Sequence, residues 1–116
     1  MNFLVADDVP VVLKGEVGVV LNVLGKNTQI FEAEYSNKVL EIVKKNHIDI
    51  AILDVEMPKE NGIEIAKKIK IVQPDIKIIL TSGDDTYASE ALAAGAIGFI
   101  AKPITEENLK KCLQEN

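Results

Sequence analysis

Four places in the chain put a reactive side chain directly after an apolar run. Asp7 and Asp8 follow Phe3-Leu4-Val5-Ala6, and Asp54 follows Ile50-Ala51-Ile52-Leu53. Thr81 follows Ile76-Lys77-Ile78-Ile79-Leu80, and Lys102 follows Ile97-Gly98-Phe99-Ile100-Ala101. Short apolar runs bounded by turn residues read as strands buried on both faces, the pattern of a parallel sheet. In such a sheet the carboxyl ends of the strands share one edge, and open α/β folds bind ligands there. Three carboxylates crowded at one edge repel one another and are costly to bury. A hard divalent cation, which takes oxygen ligands, would offset that cost, and so would the fixed charge of Lys102. A carboxylate beside both is placed to attack phosphorus, because phosphoryl transfer needs mainly positioning and charge neutralisation. A hydroxyl at Thr81 would then have a new acceptor in the modified state only, which suits a conformational switch.

Taken singly, each residue has an ordinary structural reading. An aspartate after a strand is most often a turn residue or helix cap, Asp7-Asp8 before Val9-Pro10 would serve as a capping pair, and Thr81-Ser82-Gly83 is a common type of strand-to-helix loop. The signal lies in the convergence of all four on one edge. His47 falls in a polar loop and reads as a solvated residue; Cys112 reads as a packing residue of the last helix. Neither has a neighbour that would make a nucleophile–base pair.

The elements that must position these groups alternate regularly. Asn2 to Ala6 is the first strand. Pro10, suited to a first helical turn, opens a helix that runs to Leu24 and stops at Gly25. That helix is apolar nearly all round (Val11, Val12, Leu13, Val17, Val19, Val20, Leu21, Val23, Leu24) and carries Gly15 and Gly18 inside it. Thr28 to Ala33 is the second strand, and Ser36 is the expected N-cap of a helix over Asn37 to Lys45. The third strand ends at Asp54. A loop through Lys59-Glu60-Asn61-Gly62 leads to a helix from Ile63 to Val72, ended by Pro74. Ile76 to Leu80 is the fourth strand, and Asp84 or Asp85 is expected to cap an alanine-rich helix through Ala94 that Gly95 terminates. Ile97 to Ala101 is the fifth strand. Thr105, Glu106 and Glu107 start a last helix that runs to the C-terminus, with Thr105 and Asn108 falling short of a full capping box. Five strands alternating with five helices predict a doubly wound α/β domain with helices on both faces of a parallel sheet.

The 116 residues amount to one domain, expected to span 1–116, and a hydrophobic content of 47% is enough for a core without metal or disulfide support. The lone cysteine precludes an internal disulfide and fits a reducing compartment. Net charge is −5, from 18 acids against 13 bases, and every base is lysine. An acidic, arginine-free surface is a poor general binder of nucleic acid. No stretch is long and apolar enough to span a bilayer, and the N-terminus lacks a charged segment followed by an apolar one. The expectation is a cytoplasmic domain with no membrane or direct nucleic-acid contact.

The chain resembles the receiver domain of bacterial two-component response regulators. The resemblance rests on Leu4-Val5-Ala6-Asp7-Asp8, Ile52-Leu53-Asp54-Val55-Glu56-Met57-Pro58, Asn61-Gly62, Ile79-Leu80-Thr81-Ser82, Gly95-Ala96-Ile97-Gly98-Phe99 and Lys102-Pro103, in this order and spacing, and covers nearly the whole chain. It implies a flavodoxin-like (βα)5 fold with strand order 2-1-3-4-5. It implies that Asp54 accepts a phosphoryl group from a histidine kinase or phosphotransfer protein. Asp7, Asp8 and Asp54, with the backbone carbonyl of Glu56, would hold Mg²⁺ or Mn²⁺. Lys102 would be the family's salt-bridging lysine, joined to Pro103 by a cis peptide bond, and Thr81 and Phe99 would be the switch pair that alters the face formed by the fourth helix, fifth strand and fifth helix. Beyond autodephosphorylation no enzymatic turnover is implied. The partners implied are that phosphodonor, a downstream protein or a fused output domain (DNA-binding in some members), and a phosphorylation-dependent second copy. In this family the first helix commonly docks the kinase, and its apolar surface here fits either docking or burial against the sheet.

Two positions depart from the commonest pattern of the family. Position 99 is Phe rather than Tyr, so the ring has no hydroxyl. Glu56 adds a negative side chain two residues after the acceptor and is expected to alter hydrolysis rate or metal affinity. The last helix is slightly short, which fits a stand-alone regulator or a receiver from a longer protein, and Ala91 to Phe99 is reminiscent of receivers that precede a helix-turn-helix domain. Two other readings compete. A small phosphohydrolase with Asp54 as nucleophile would need a second aspartate where Glu56 stands. A structural pseudo-receiver would have lost site residues that are all present here.

Overall fold

The computed structural model describes residues 1–114. Its elements are β1 (Asn2–Ala6), α1 (Pro10–Leu24), β2 (Gln29–Ala33), α2 (Ser36–Lys45), β3 (Ile50–Asp54), α3 (Gly62–Val72), β4 (Lys77–Ser82), a 3₁₀ turn (Asp85–Tyr87), α4 (Ala88–Ala93), β5 (Gly98–Ala101) and α5 (Glu106–Gln114). The two residues beyond Gln114, into which the last helix was expected to run, lie outside the described residues.

The five strands are all parallel and lie in the order β2-β1-β3-β4-β5. Strand alternation divides the core in two. Leu4, Ala6, Ala51, Leu53, Ile78 and Leu80 point to one face, where they meet Val39, Ile42 and Val43 of α2 and Ile63, Ile65 and Ile69 of α3. Phe3, Val5, Ile50, Ile52 and Ile79 point to the other and meet Leu13 and Val20 of α1 and Leu109 and Cys112 of α5. Central strand β3 is buried at every position, which is why its sequence is an unbroken apolar run up to Asp54. Because β1 and β3 are neighbours while their following helices leave to opposite faces, a crevice opens at their carboxyl ends.

α1 buries part of its apolar surface and leaves part of it in solvent. Leu13 and Val20 are buried, and Val17, Val19, Val23 and Leu24 pack partly on the core, while Val11 stays 75% exposed and Val9 and Leu21 also reach solvent.

Four local expectations are corrected. Ser36 is the first residue of α2 rather than its cap: Tyr35 stands at the N-cap, its backbone carbonyl accepting from Lys38 and Val39, and no side chain caps the helix. β4 runs on through Thr81 and Ser82, because β5 lies alongside and pairs Thr81 with Ile100 and Ser82 with Ala101. The helix expected from Asp84 or Asp85 through Ala94 starts with one 3₁₀ turn, and α4 proper has only six residues. Asp84 Oδ1 accepts from both the backbone N–H and the hydroxyl of Thr86, which favours a tight local turn over helix propagation. Thr105 and Asn108 do form a reciprocal cap. Thr105 N–H donates to Asn108 Oδ1 at 2.8 Å and Asn108 N–H to Thr105 Oγ1 at 3.1 Å, so asparagine fills the place usually taken by Glu or Gln.

Candidate functional site

The carboxyl edge of the sheet brings the sequence-singled residues together. β1 ends beside Asp7, β3 ends in Asp54, and β4 sets Thr81 in register opposite Asp54. One carboxylate oxygen each from Asp7, Asp8 and Asp54 lies within 4.8 Å of the others. Asp7 is fully buried and Asp54 is 3% exposed, whereas Asp8 reaches solvent. Lys102 arrives from the end of β5 and bridges the two buried acids, its Nζ lying 2.7 Å from Asp7 Oδ2 and 2.8 Å from Asp54 Oδ2. The peptide bond that follows it, to Pro103, is cis.

The remaining acceptor oxygens are oriented by backbone. Val9 N–H donates to Asp7 Oδ1 at 2.9 Å, and Glu56 N–H donates to Asp54 Oδ1 at 3.0 Å. The loop after β3 is tied down by Val55 N–H to Thr81 O and Gly62 N–H to Val55 O, each 2.8 Å. Gly62 is required there for want of room: a Cβ at that position would run into the backbone carbonyl of Asp54. Asn61 caps α3 immediately before it, its Oδ1 accepting from Glu64 N–H.

Burial disfavours the charged form of Asp54 and raises its pKa, against the opposing hydrogen bonds from Lys102 and the Glu56 N–H. For Lys102 burial disfavours the charge too, but the hydrogen bonds to Asp54 and Asp7 prevail and its pKa is raised. The ammonium is therefore a permanent part of the site. Two buried carboxylates sharing one lysine leave one negative charge uncompensated, and Asp8 adds another at the rim. The donor set is all carboxylate oxygen, which fits a hard divalent cation.

Two expected switch residues are placed differently from the acids. Thr81 is fully buried, and its hydroxyl donates to Ile100 O at 2.7 Å rather than to Asp54. Phe99 is half-buried on β5 and packs against the core on the α2–α3 face. Glu56 projects to the surface, but its Oε1 accepts from Ser82 Oγ at 2.6 Å. His47 is exposed, with Nδ1 3.7 Å from Asp49 at the opposite edge of the sheet, and Cys112 is buried against Gly98, whose missing side chain makes room for the sulfur.

Sequence reasoning missed one member of the neighbourhood. Glu16 of α1 is 4% exposed, and among the described residues no group hydrogen-bonds either of its carboxylate oxygens. Burial, and then the negative charge of Asp7, push its pKa up to about 8, against partial relief from Lys102. Two ionised carboxylates cannot hydrogen-bond each other; a proton on Glu16 turns the repulsion into an O–H that Asp7 can accept. Leu13, Glu16 and Val20 recur at helical intervals and form the buried stripe of α1, but a helix apolar nearly all round does not mark that stripe as the inward one.

A family model described as the response regulator receiver domain matches residues 3–114. The chain is 33% identical over 115 residues to the transcriptional regulatory protein LytR of Staphylococcus aureus, covering 99% of this chain and 46% of that protein. It is 35% identical over 106 residues to the transcriptional regulatory protein YxjL of Bacillus subtilis, covering 90% of this chain and 48% of that one. The chain thus spans about half the length of these curated relatives. Among solved structures, the response regulator protein TrrA of Thermotoga maritima, determined in complex with Mg²⁺ and BeF, superposes with a TM-score of 0.85 at 28% identity, over 98% of this chain and 96% of that one.

Proposed function

The chain belongs to the response regulator receiver domain family, and from that premise we propose that it is a phosphoacceptor switch with Asp54 as the acceptor. Receivers of this family serve two-component signalling rather than classical enzyme turnover, and they work with histidine kinases. The observation that carries the assignment of Asp54 is its place among Asp7, Asp8 and Lys102, buried, salt-bridged and at the sheet edge. In the reaction a carboxylate oxygen of Asp54 attacks the phosphorus of a phosphohistidine on a kinase or phosphotransfer protein. The phosphorus–nitrogen bond breaks, the imidazole nitrogen keeps the electron pair, and an aspartyl phosphate results.

Each residue has a role that follows from its contacts. Lys102, held in its charged form, neutralises negative charge on the transferring group and keeps Asp54 ionised enough to attack. Glu56 N–H fixes the rotation of the Asp54 carboxylate. Asp7, Asp8 and Asp54, with the Glu56 carbonyl, would hold Mg²⁺ or Mn²⁺; that ion supplies the charge neutralisation that three crowded carboxylates lack. Thr81 and Phe99 form the switch. A phosphoryl oxygen on Asp54 competes with Ile100 O for the Thr81 hydroxyl, and a shift of Thr81 at the end of β4 is passed to Phe99 through the neighbouring strand β5. The consequence is a changed α4-β5-α5 face, read by a separate target, a second copy, or a fused output domain. The relatives' description as transcriptional regulators, and the half of their length that this chain does not span, favour DNA-binding output carried outside residues 1–116, which form the receiver unit. Exposed Val11 and the half-buried valines of α1 suit docking of the phosphodonor. Among the described residues no helix is long and apolar enough to cross a membrane, in keeping with a cytoplasmic partner.

Backbone amide NMR tests the assignment. Adding Mg²⁺ and then beryllofluoride, a phosphoryl mimic, should shift the amides of Asp8, Glu56, Thr81 and Phe99. Unchanged spectra at saturating beryllofluoride contradict it.

A further inference from the structure

The loop after Asp54 and the end of β4 are joined by a hydrogen bond that the phosphoacceptor chemistry does not call for. Glu56 Oε1 accepts from Ser82 Oγ at 2.6 Å, and the same Ser82 oxygen accepts from Asp84 N–H at 3.0 Å. Ser82 is fully buried and adjoins Thr81, whose hydroxyl is turned away from Asp54 to Ile100 O. Glu56 in turn carries the N–H that holds Asp54 Oδ1. A short bond from a hydroxyl to a carboxylate is among the stronger neutral-to-charged contacts a surface loop makes.

Resting on the reading of Asp54 as acceptor, we propose that Glu56 and Ser82 are positioning residues that act as one latch. The latch holds the end of β4 in the arrangement that keeps Thr81 on Ile100, and a phosphoryl group on Asp54 opens it. The charge logic is direct. The aspartyl phosphate carries close to two negative charges where the Asp54 carboxylate carried one, within two residues of the Glu56 carboxylate, and like charges that near repel. Drawing the Thr81 hydroxyl toward that group also moves the neighbouring Ser82, because both belong to the same strand end. The latch is therefore made in the unmodified state and broken in the modified one, and it slows acceptance in proportion to its strength. This gives the sign of the Glu56 effect on acceptance: its side chain restrains the reaction through Ser82.

The test is a double-mutant cycle on Ser82→Ala and Glu56→Ala, with acetyl phosphate and Mg²⁺ as phosphodonor and intact mass as readout. In that reaction the bond between phosphorus and the acetyl oxygen breaks, acetate leaves, and the Asp54 oxygen–phosphorus bond forms. Ser82→Ala removes only a hydroxyl, so the fold should survive, and circular dichroism melting checks that it does. Ser82→Ala is expected to raise the initial rate about five-fold in the wild-type background, the order of weight of one charge-assisted hydrogen bond partly felt in the rate. In the Glu56→Ala background the same substitution should change nothing. An equal effect of Ser82→Ala in both backgrounds, or a slower reaction of the single variant, overturns the latch. No mass gain in any protein overturns the acceptor reading and the latch with it, whereas mass gain with an additive cycle overturns the latch alone.

Discussion

Replacing Glu16 by glutamine should stabilise the protein in a pH-dependent way that the burial of this side chain sets. In the unfolded chain its carboxyl ionises at about the ordinary 4.5, whereas in the folded protein it keeps its proton to about 8. The native state therefore binds more protons than the unfolded state across that interval. Stability is then lost as pH rises through it, by about 1.4 kcal/mol for each pH unit. The ceiling at pH 7 is about 3 kcal/mol, and relaxation of α1 with entry of water should leave about 1–2 kcal/mol of it. Below about pH 4.5 both states hold the proton and the penalty vanishes. Glutamine has no charge to bury, and its amide can donate to Asp7 as a protonated Glu16 would. The assay is urea unfolding of wild type and Glu16→Gln followed by far-ultraviolet circular dichroism, since the chain has no tryptophan. EDTA keeps the neighbouring acids free of metal. The two proteins should have matching stabilities at pH 4.5, with the variant ahead by about 1–2 kcal/mol at pH 7.5, or roughly 4–8 °C in melting temperature. Difference curves that stay flat with pH would refute the reasoning, because they would mean that Glu16 is solvated or paired in the native state.

Other consequences are open to simple measurement. Lys102→Ala leaves Asp7 and Asp54 buried without their cation and should cost about 3–5 kcal/mol in metal-free buffer. Saturating Mg²⁺ should raise the melting temperature of this variant more than that of wild type, and an equal rise would show that Lys102 does not share its acids with the ion. Gly62→Ala drives a methyl group into the Asp54 carbonyl and should cost about 1–3 kcal/mol in urea titration, with a slower Asp54 reaction; a neutral result would mean that the loop after β3 yields freely.

How far the chain could be read depended on which physical signal each feature leaves. Central strands buried on both faces must be apolar throughout, so β3 and β4 announced themselves, and the polar residue ending each marked the sheet edge. That made Asp7, Asp54 and Lys102 legible as a group. Features decided by tertiary packing left less trace. α1 is apolar nearly all round, so periodicity could not say which side faces inward, and a glutamate on it reads as solvent-facing when it is in fact the buried member of the Leu13–Glu16–Val20 stripe. The short α4 follows from Asp84 closing on Thr86, a competition between two local hydrogen-bonding patterns that composition does not rank. β4 continues into Thr81 and Ser82 because Asp54 of β3 and Ile100 and Ala101 of β5 pair there, partners distant in sequence. The direction of the Thr81 hydroxyl and the bond from Ser82 to Glu56 are rotamer choices made by neighbours distant in sequence, and no pattern within the chain encodes them.

The central claim is that Asp54 is the residue modified. Intact mass after incubation with acetyl phosphate and Mg²⁺, with Asp54→Ala treated alongside, tests it most directly. The account predicts one added phosphoryl group on the wild-type protein, lost again if EDTA is present from the start, and none on the variant. An equal gain on both proteins, or no gain on wild type under conditions where Mg²⁺ binding is demonstrated, would contradict it.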